Sequence, residues 1–341
     1  MIRFAWLRFR VQAAVGFGAL LVLAAALAVT GRHDTSLRPW LGVVVMVAPA
    51  LLGAFWGAPL VAGEAEAGTL PLAWTQSVSR TRWLGAGVGV PGLAAVTMTG
   101  LLSLLVTWWA SPQDAAERNV FATFDQRGIV PIGYAAFAVA LGITAGAVIR
   151  RTLPAMAAAT AGFLAVRMAF AHLVRPRLGT PISQDFVLTP AATGYGSQGS
   201  LLSLLFSSQG STLEPTPPTV PNAWVTAIRI VDRTGHGLTD QVLRSDCPGI
   251  GQEGSGSGSG SGSGPGPGPG SGFSHSQVPA AVQQAHEACI AKVAATYHGL
   301  ATYQPGSRYW EFQWFELTAF LGAALLLAGF CLWLVRRSPG R

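Results

Sequence analysis

The sequence predicts an all-α polytopic membrane protein with six transmembrane helices and an α+β extracytoplasmic insertion between helices five and six. Half of the residues are hydrophobic and only 11% are charged, whereas soluble domains carry about 25% charged residues. Mean hydropathy is positive, at +0.42. Six apolar blocks each reach the ~20 residues that a helix needs to cross a bilayer. They are 11–30, 41–61, 84–109, 131–149, 153–174 and 315–335.

Each block is predicted to be a helix because a backbone inside lipid must satisfy its own hydrogen bonds. The first block has a second interpretation, a cleaved signal peptide, since Arg3, Arg8 and Arg10 precede it and small residues occupy 24–28. The apolar region of a signal peptide spans only about 7–15 residues, however. The longer block at 11–30 therefore favours a retained span.

The placement of arginines predicts which ends of the helices face the cytoplasm. With the N-terminus inside, the short inner segments hold a dense set of arginines: Arg3, Arg8, Arg10, Arg80, Arg82, Arg150, Arg151, Arg336, Arg337 and Arg341. Six spans then return the C-terminus to the same side. We expect a multi-pass protein of the bacterial plasma membrane with both termini cytoplasmic. The single lysine, with an excess of alanine and glycine, is typical of a GC-rich bacterial genome.

This threading divides the chain into three parts. Residues 1–174 contain the first five helices, 175–313 form the extracytoplasmic domain, and 314–341 hold the sixth helix and a cytoplasmic tail. Within the extracytoplasmic domain, 185–188 and 224–231 are predicted strands. Apolar residues at steps of three or four predict a helix over 278–295. The Gly-Ser and Gly-Pro alternation at 254–272 has no side chains to bury and predicts a flexible linker.

Two cysteines, Cys247 and Cys289, flank that linker on the outer side, where a disulfide can persist. We expect them to be joined, with two free thiols as the alternative. Cys331 lies inside the last span and is expected to pack as a small apolar residue. No metal site is predicted, since the sequence has no CxxC or HExxH motif and its histidines are scattered.

The sequence lacks the motifs of an enzyme. A Walker A loop needs Gly-Lys-Ser or Gly-Lys-Thr to hold the phosphates and Mg²⁺, but Lys292 lies between Ala291 and Val293. No GxSxG elbow or convincing pair of carboxylates is present. The net charge is +7, but the basic residues do not form one continuous stripe, so nucleic acid is not an expected partner. Membrane lipid is an expected partner.

The predicted inner connection at 62–83 carries the strongest local signal. It begins with Glu64 and Glu66 and ends with Arg80 and Arg82, and its apolar residues, including Trp74, can lie at the lipid interface. From its residues alone, it is either a surface-lying connector or a functional segment.

This connector resembles that of the ABC-2 type permeases, the membrane subunits of ABC exporters. In that family an acidic residue after the second span leads into Gly-Thr, and a Ser-Arg pair precedes the third span. The matching positions are Glu64, Glu66, Gly68, Thr69, Ser77, Ser79, Arg80 and Arg82. The chain is most similar to a bacterial subgroup with a large outer loop between spans five and six. Its shared stretches are 74–80, 108–112, 127–134 and 303–310.

The resemblance implies that the connector is a coupling segment that docks on a separate cytoplasmic ABC ATPase subunit. Two copies of that ATPase would bind ATP and Mg²⁺, and this chain would hold no cofactor itself. The resemblance also implies a second permease subunit, in a homodimer or a heterodimer.

Two charged residues lie inside predicted spans. Arg167 is about 10 Å of helix from the outer end of span five, and Glu316 lies just inside the outer end of span six. A charge in lipid usually faces a partner or water. These residues are either part of a transport pathway or a structural ion pair. Two GxxxG motifs, at 53–57 and 142–146, predict close helix packing.

The leading hypothesis is therefore the membrane-spanning permease subunit of an ABC-type exporter, which couples ATP hydrolysis by a separate subunit to transport across the plasma membrane. The alternative is a membrane-anchored sensor or structural protein whose extracytoplasmic domain binds a ligand or partner. A membrane enzyme has no supporting constellation of residues, and a secondary transporter has too few buried acids for a proton relay.

Overall fold

The computed structural model describes residues 2–30, 38–68, 80–117, 120–187, 203–207, 210–214, 222–239, 288 and 291–337. The chain divides into two compact units. One contains Met1–Thr180 and Pro305–Arg341, and the other contains Pro181–Gln304. The predicted disulfide between Cys247 and Cys289 and the linker at 254–272 lie outside the described residues.

The first unit is a helical bundle. Among the described residues, six helices are long and apolar enough to cross a membrane: Phe9–Thr30, Trp40–Glu66, Gly89–Ser111, Val130–Ile149, Thr152–Arg177 and Gly306–Leu334. We call these spans one to six. They coincide with the six predicted blocks, although the sixth begins earlier than predicted.

The helices that carry these spans extend beyond them in places, and two contain irregular turns. Span one lies in Ile2–Thr30, span three in Arg80–Glu117 and span four in Val130–Ile149. Span two joins Arg38–Leu52 to Ala58–Glu66 through a π-helical turn at Gly53–Gly57. Span five is Thr152–Ala169, followed by a π-helical turn at Phe170–Val174 and a 3-10 turn at Arg175–Arg177. Span six is a 3-10 turn at Gly306–Arg308 and the helix Tyr309–Arg337.

Span four is the centre of the bundle. It is buried along most of its length, and its apolar side chains join a core to which spans one, two, three and six contribute. Apolar side chains of the surrounding spans, such as Leu21, Leu104 and Leu326, are instead largely exposed. An apolar outer surface is what a helical bundle presents to lipid.

The predicted GxxxG motifs bring spans two and four together. A Cβ atom at Gly57 would lie 2.7 Å from the carbonyl oxygen of Val139, and one at Gly146 would lie 2.5 Å from that of Ala58. Gly53 and Gly142 approach backbone atoms of the opposite helix in the same way. Glycine permits this backbone-to-backbone contact because it has no side chain.

The second unit contains antiparallel sheets. Strand β1 (Ile182–Phe186) pairs with β5 (Tyr297–Gln304), and β5 pairs on its other edge with β4 (Trp224–Asp232). A separate pair is formed by β2 (Ser203–Ser207) and β3 (Gly210–Glu214). The predicted strand at 224–231 coincides with β4. The strand predicted at 185–188 is displaced to Ile182–Phe186, and only residues 288 and 291–295 of the predicted helix at 278–295 are described as helical.

Candidate functional site

Two groups of polar residues lie at opposite ends of the bundle. Span two ends at Glu66 and span five begins at Thr152, so these residues share one end. Span five ends at Arg177 and span six begins at Gly306, so the residues near them share the other end. The predicted threading makes the first end cytoplasmic and the second extracytoplasmic.

At the second end, the Arg175 guanidinium is the centre of a buried network. Its Nη2 lies 2.9 Å from Oε1 of Glu316, and its Nε lies 3.1 Å from Oε2 of the same carboxylate. Arg175 also forms an ion pair with Asp125, in the turn before span four. The guanidinium stacks 4.5 Å from the centre of the Phe124 ring. This double contact joins spans five and six to the chain that leads into span four.

Tyr134 connects this ion pair to Arg167. Its hydroxyl lies within hydrogen-bonding distance of Glu316 and of Asp125, the latter at 3.0 Å. The Arg167 guanidinium lies 4.8 Å from the centre of the Tyr134 ring and donates to the carbonyl oxygen of Met46 at 3.0 Å. We call Asp125, Tyr134, Arg167, Arg175 and Glu316 the arginine cluster.

The arginine cluster is balanced in charge, with two guanidinium groups and two carboxyl groups. Glu316 is only 1% exposed and Arg167 only 4%, and charges at this depth require partners. Asp125 is partly exposed and lies outside the spans. Burial raises the pKa of Asp125, but the charge and hydrogen bonds of Arg175 outweigh that effect and hold the pKa below its usual range.

The sequence identified Arg167 and Glu316 and proposed them as an ion pair. The structure places both in the arginine cluster, but the cation that contacts Glu316 is Arg175, and Tyr134 lies between the two predicted residues. The reason is the length of span five, because its helix continues through the π-helical turn at Phe170–Val174 into the 3-10 turn at Arg175–Arg177 and brings Arg175 into contact with Glu316. Arg175 was expected in the extracytoplasmic segment.

Gln313 fixes the start of span four against span six. Its side-chain oxygen accepts from the amide groups of Ile129 and Val130, at 3.0 and 3.1 Å. Its amide nitrogen donates to the carbonyl oxygen of Phe124 at 3.1 Å. Gly128 has a φ of +76°, and a Cβ atom there would lie 2.6 Å from the Gln313 oxygen. Gln313 thus acts as an N-cap supplied by a neighbouring helix.

The first end contains the beginning of the predicted coupling segment. Glu64 is buried, at 5% exposure. Glu66 is exposed and accepts hydrogen bonds from the amide and the hydroxyl of Thr152, at 3.1 and 2.6 Å. Gly68 has a φ of +68° and its amide donates to the carbonyl oxygen of Ala65, which ends the helix.

The rest of the predicted coupling segment is only partly described. Thr69, Trp74 and Ser77 lie outside the described residues. Arg80 and Arg82 belong to the first turn of the helix that carries span three, and nothing is described of their side chains. Among the described residues, no group of three or more His, Cys, Asp or Glu side chains could hold a metal ion.

An apolar cavity of about 800 Å³ lies between spans one, two and three. Val15 and Leu20 of span one, Phe55 and Trp56 of span two, and Met98 of span three are among its lining residues. Gln12 is the polar side chain of the lining. Val15 and Phe55 are more than half exposed, so the cavity is open to the outer surface of the bundle.

Comparison with known protein families finds a match over part of the chain. Residues 24–175 match the family described as ABC-2 membrane transporter related. The matched region begins within span one and ends at Arg175, so it contains spans two to four, span five except its last two residues, the predicted coupling segment and both arginines of the arginine cluster. No curated protein and no solved structure matches the chain.

Proposed function

We propose that this multi-pass chain, which matches the ABC-2 membrane transporter related family over residues 24–175, is the membrane-spanning subunit of an ATP-driven exporter in the bacterial plasma membrane. The family match carries the proposal. Six spans and a sequence without a Walker A loop support a division of labour in which a separate ATPase subunit binds ATP and Mg²⁺.

In this proposal, two ATPase copies dock on the cytoplasmic side of two permease subunits, either identical or related. The segment at 62–83 receives the motion of the ATPase through Glu64, Glu66, Gly68, Thr69, Trp74, Ser77, Arg80 and Arg82. Both chain termini are then cytoplasmic, and the unit Pro181–Gln304 lies outside the cell. There Cys247 and Cys289 are proposed to form a disulfide.

Span five supplies a route between the two ends. Thr152, its first residue, contacts the start of the coupling segment through Glu66. Arg175, near its last residue, contacts Glu316 of span six and Asp125. By the 1.5 Å rise per residue, these two contacts are separated by about 35 Å of helix. We propose that a displacement at the cytoplasmic end changes the contact between Glu66 and Thr152, while the arginine cluster holds the other end of span five to span six.

Co-expression with the ATPase encoded beside this chain tests the proposal. The complex should purify through a tag on the permease, and its ATPase rate should differ from that of the isolated ATPase. A triple variant, with Glu64 and Glu66 replaced by glutamine and Arg80 by alanine, should associate more weakly with the ATPase. Glu311→Gln is a matched control, since it removes an exposed acid at the opposite end.

Two results would count against an exporter subunit. One is the absence of any association with the wild-type chain. The other is an association that the triple replacement leaves as strong as that of the Glu311→Gln control. ATP-dependent accumulation of a hydrophobic dye in inverted vesicles separates export from the alternative, a membrane-anchored sensor, which would bind a ligand without transporting it.

A further inference from the structure

The shortest described connection in the bundle carries two exposed arginines. Span four ends at Ile149 and span five begins at Thr152, so Arg150 and Arg151 form the whole loop. Arg150 has a left-handed backbone, with a φ of 57°, and its amide donates to the carbonyl oxygen of Gly146 at 3.0 Å. Neither guanidinium forms a hydrogen bond or ion pair with a described residue. Two positive charges therefore project from this end of the bundle.

The loop is held beside the predicted coupling segment. The Glu66 carboxylate accepts from both the amide and the hydroxyl of Thr152, the residue directly after the arginines. A carboxylate at a helix N-terminus is favoured by the exposed amides and the helix dipole. This contact fixes the position of the loop relative to the end of span two, where the coupling segment begins.

We propose that Arg150 and Arg151 are a second contact for the ATPase, adjacent to the coupling segment, and that they bind carboxylates on the ATPase surface. The inference rests on the proposed function. Arginine suits this role because its planar guanidinium binds a carboxylate with two parallel hydrogen bonds. Because the site is exposed, the contribution depends on ionic strength. Glu66 and Thr152 are positioning residues that hold the loop in place.

These arginines also count toward the orientation of the chain in the membrane, and the control must remove that effect. Arg336 and Arg337, at the end of span six, are a second adjacent pair on the same predicted side. Charge reversal at either pair removes two positive charges from the predicted inner side, so both variants perturb the orientation signal by the same number of charges. Among the described contacts, Glu66 at the start of the coupling segment binds Thr152, the residue directly after the pair at 150–151.

The test measures the affinity of the purified ATPase for the full chain in nanodiscs at about 50 and 300 mM salt. The double variant R150E/R151E is expected to weaken binding by about tenfold or more at low salt, and a tenfold change corresponds to about 1.4 kcal/mol of binding free energy. It should also lose most of the salt dependence that the wild-type chain shows. The control R336E/R337E should bind within about twofold of the wild type. Thr152→Val, which removes one of the two donors to Glu66, should give an intermediate loss.

Three outcomes overturn the inference in different ways. If the wild-type chain binds no ATPase, the proposed function itself fails. If the wild type binds and R150E/R151E binds equally well with the same salt dependence, the exporter proposal stands and the second contact is wrong. If both arginine pairs weaken binding equally, the arginines act only through orientation. Should R150E/R151E not fold, R150Q/R151Q provides the same comparison with the same expected loss of salt dependence.

Discussion

Replacing Gly142 with alanine should force spans two and four apart. A Cβ atom at Gly142 would lie 2.9 Å from the amide nitrogen of Ala58 and still nearer to the carbonyl oxygen of Gly53. Both are backbone atoms, so no change of rotamer relieves the overlap. Restoring an ordinary contact of about 3.5 Å to both atoms requires the helices to separate by more than about 1 Å at this crossing.

The magnitude follows from two opposing effects. Overfilling a packed interface costs about 1–3 kcal/mol, and a clash between backbones belongs at the upper end of that range. Alanine stabilises a helix by about 1 kcal/mol relative to glycine. We therefore expect Gly142→Ala to lower the free energy of unfolding by about 2 kcal/mol. Gly322→Ala is the matched control, since no heavy atom lies within 4 Å of its Cβ position. That substitution should cause no loss.

Unfolding of the purified chain by SDS in mixed micelles, followed by circular dichroism, measures both values. Gly53→Ala and the double variant G53A/G142A complete a double-mutant cycle with Gly142→Ala. Once one methyl group has separated the helices, the second should cost less, so the double variant should lose about 0.5–2 kcal/mol less than the sum of the single losses. The reasoning is refuted if Gly142→Ala is as stable as Gly322→Ala, or if the two losses add in full.

Three further predictions concern the other end of the bundle. Glu316→Gln leaves an unbalanced buried guanidinium and should lower the free energy of SDS unfolding by about 3–5 kcal/mol, while the double variant R175M/E316Q should recover at least half of that loss. Because the pKa of Asp125 is depressed in the folded state, its contribution to stability is complete above the unfolded pKa of about 3.9 and is lost as pH falls through the lower folded value. Thermal unfolding between pH 3 and 7 should show a loss of stability below about pH 4 that is smaller in Asp125→Asn. Gln313→Leu leaves buried amides of the first turn of span four without an acceptor and should cost about 1–3 kcal/mol, whereas unchanged stability would show that water replaces the glutamine.

Most of the bundle follows from the sequence because lipid leaves the backbone few choices. All six predicted blocks coincide with the observed spans, since a long apolar segment in a bilayer must be helical. The ends are less predictable. Span six begins about nine residues before the predicted block, because Arg308, Glu311 and Gln313 lower the hydropathy there, although the Gln313 amide is satisfied inside the bundle. A hydropathy profile contains no information about polar partners on another helix.

The arginine cluster shows the same limit. Arg167 and Glu316 stood out as charges inside apolar spans. Arg175 and Asp125 lie where the hydropathy indicates a loop, so no pattern in the sequence distinguishes them from other surface charges. Tyr134 appeared only as part of a stretch shared with the resembled family. These residues come together because of where span five ends and because of its π-helical turn. Neither feature can be predicted from a local sequence pattern.

The glycine positions divide in a similar way. The two GxxxG motifs predicted close packing, and the structure makes spans two and four the pair that uses them. The motifs could not indicate which helices would meet, because each motif marks only one surface. Gly68 appeared as part of a family motif, and its positive φ supplies the physical reason for a glycine there.

The polar contacts at the two ends of the bundle differ in what it costs to break them. Glu66 is exposed, so water can replace the two donors of Thr152 with little loss. Separating Arg175 from Glu316 would leave charges buried without partners, at several kcal/mol. In the proposed exporter, a conformational change driven from the ATPase side should therefore rearrange the exposed contact and leave the arginine cluster intact.

Spin labels can compare the two ends directly in the complex with the ATPase. A pair at Ala67 and Leu153 reports on the contact between Glu66 and Thr152, and a pair at Leu178 and Trp310 reports on the ends of spans five and six next to the arginine cluster. When ATP binds, the first distance should change and the second should stay constant, because the energetic cost of separation is high only at the second position. A change confined to the second pair would mean that the buried ion pairs are broken during the cycle, and the assignment of the moving end from burial would be wrong.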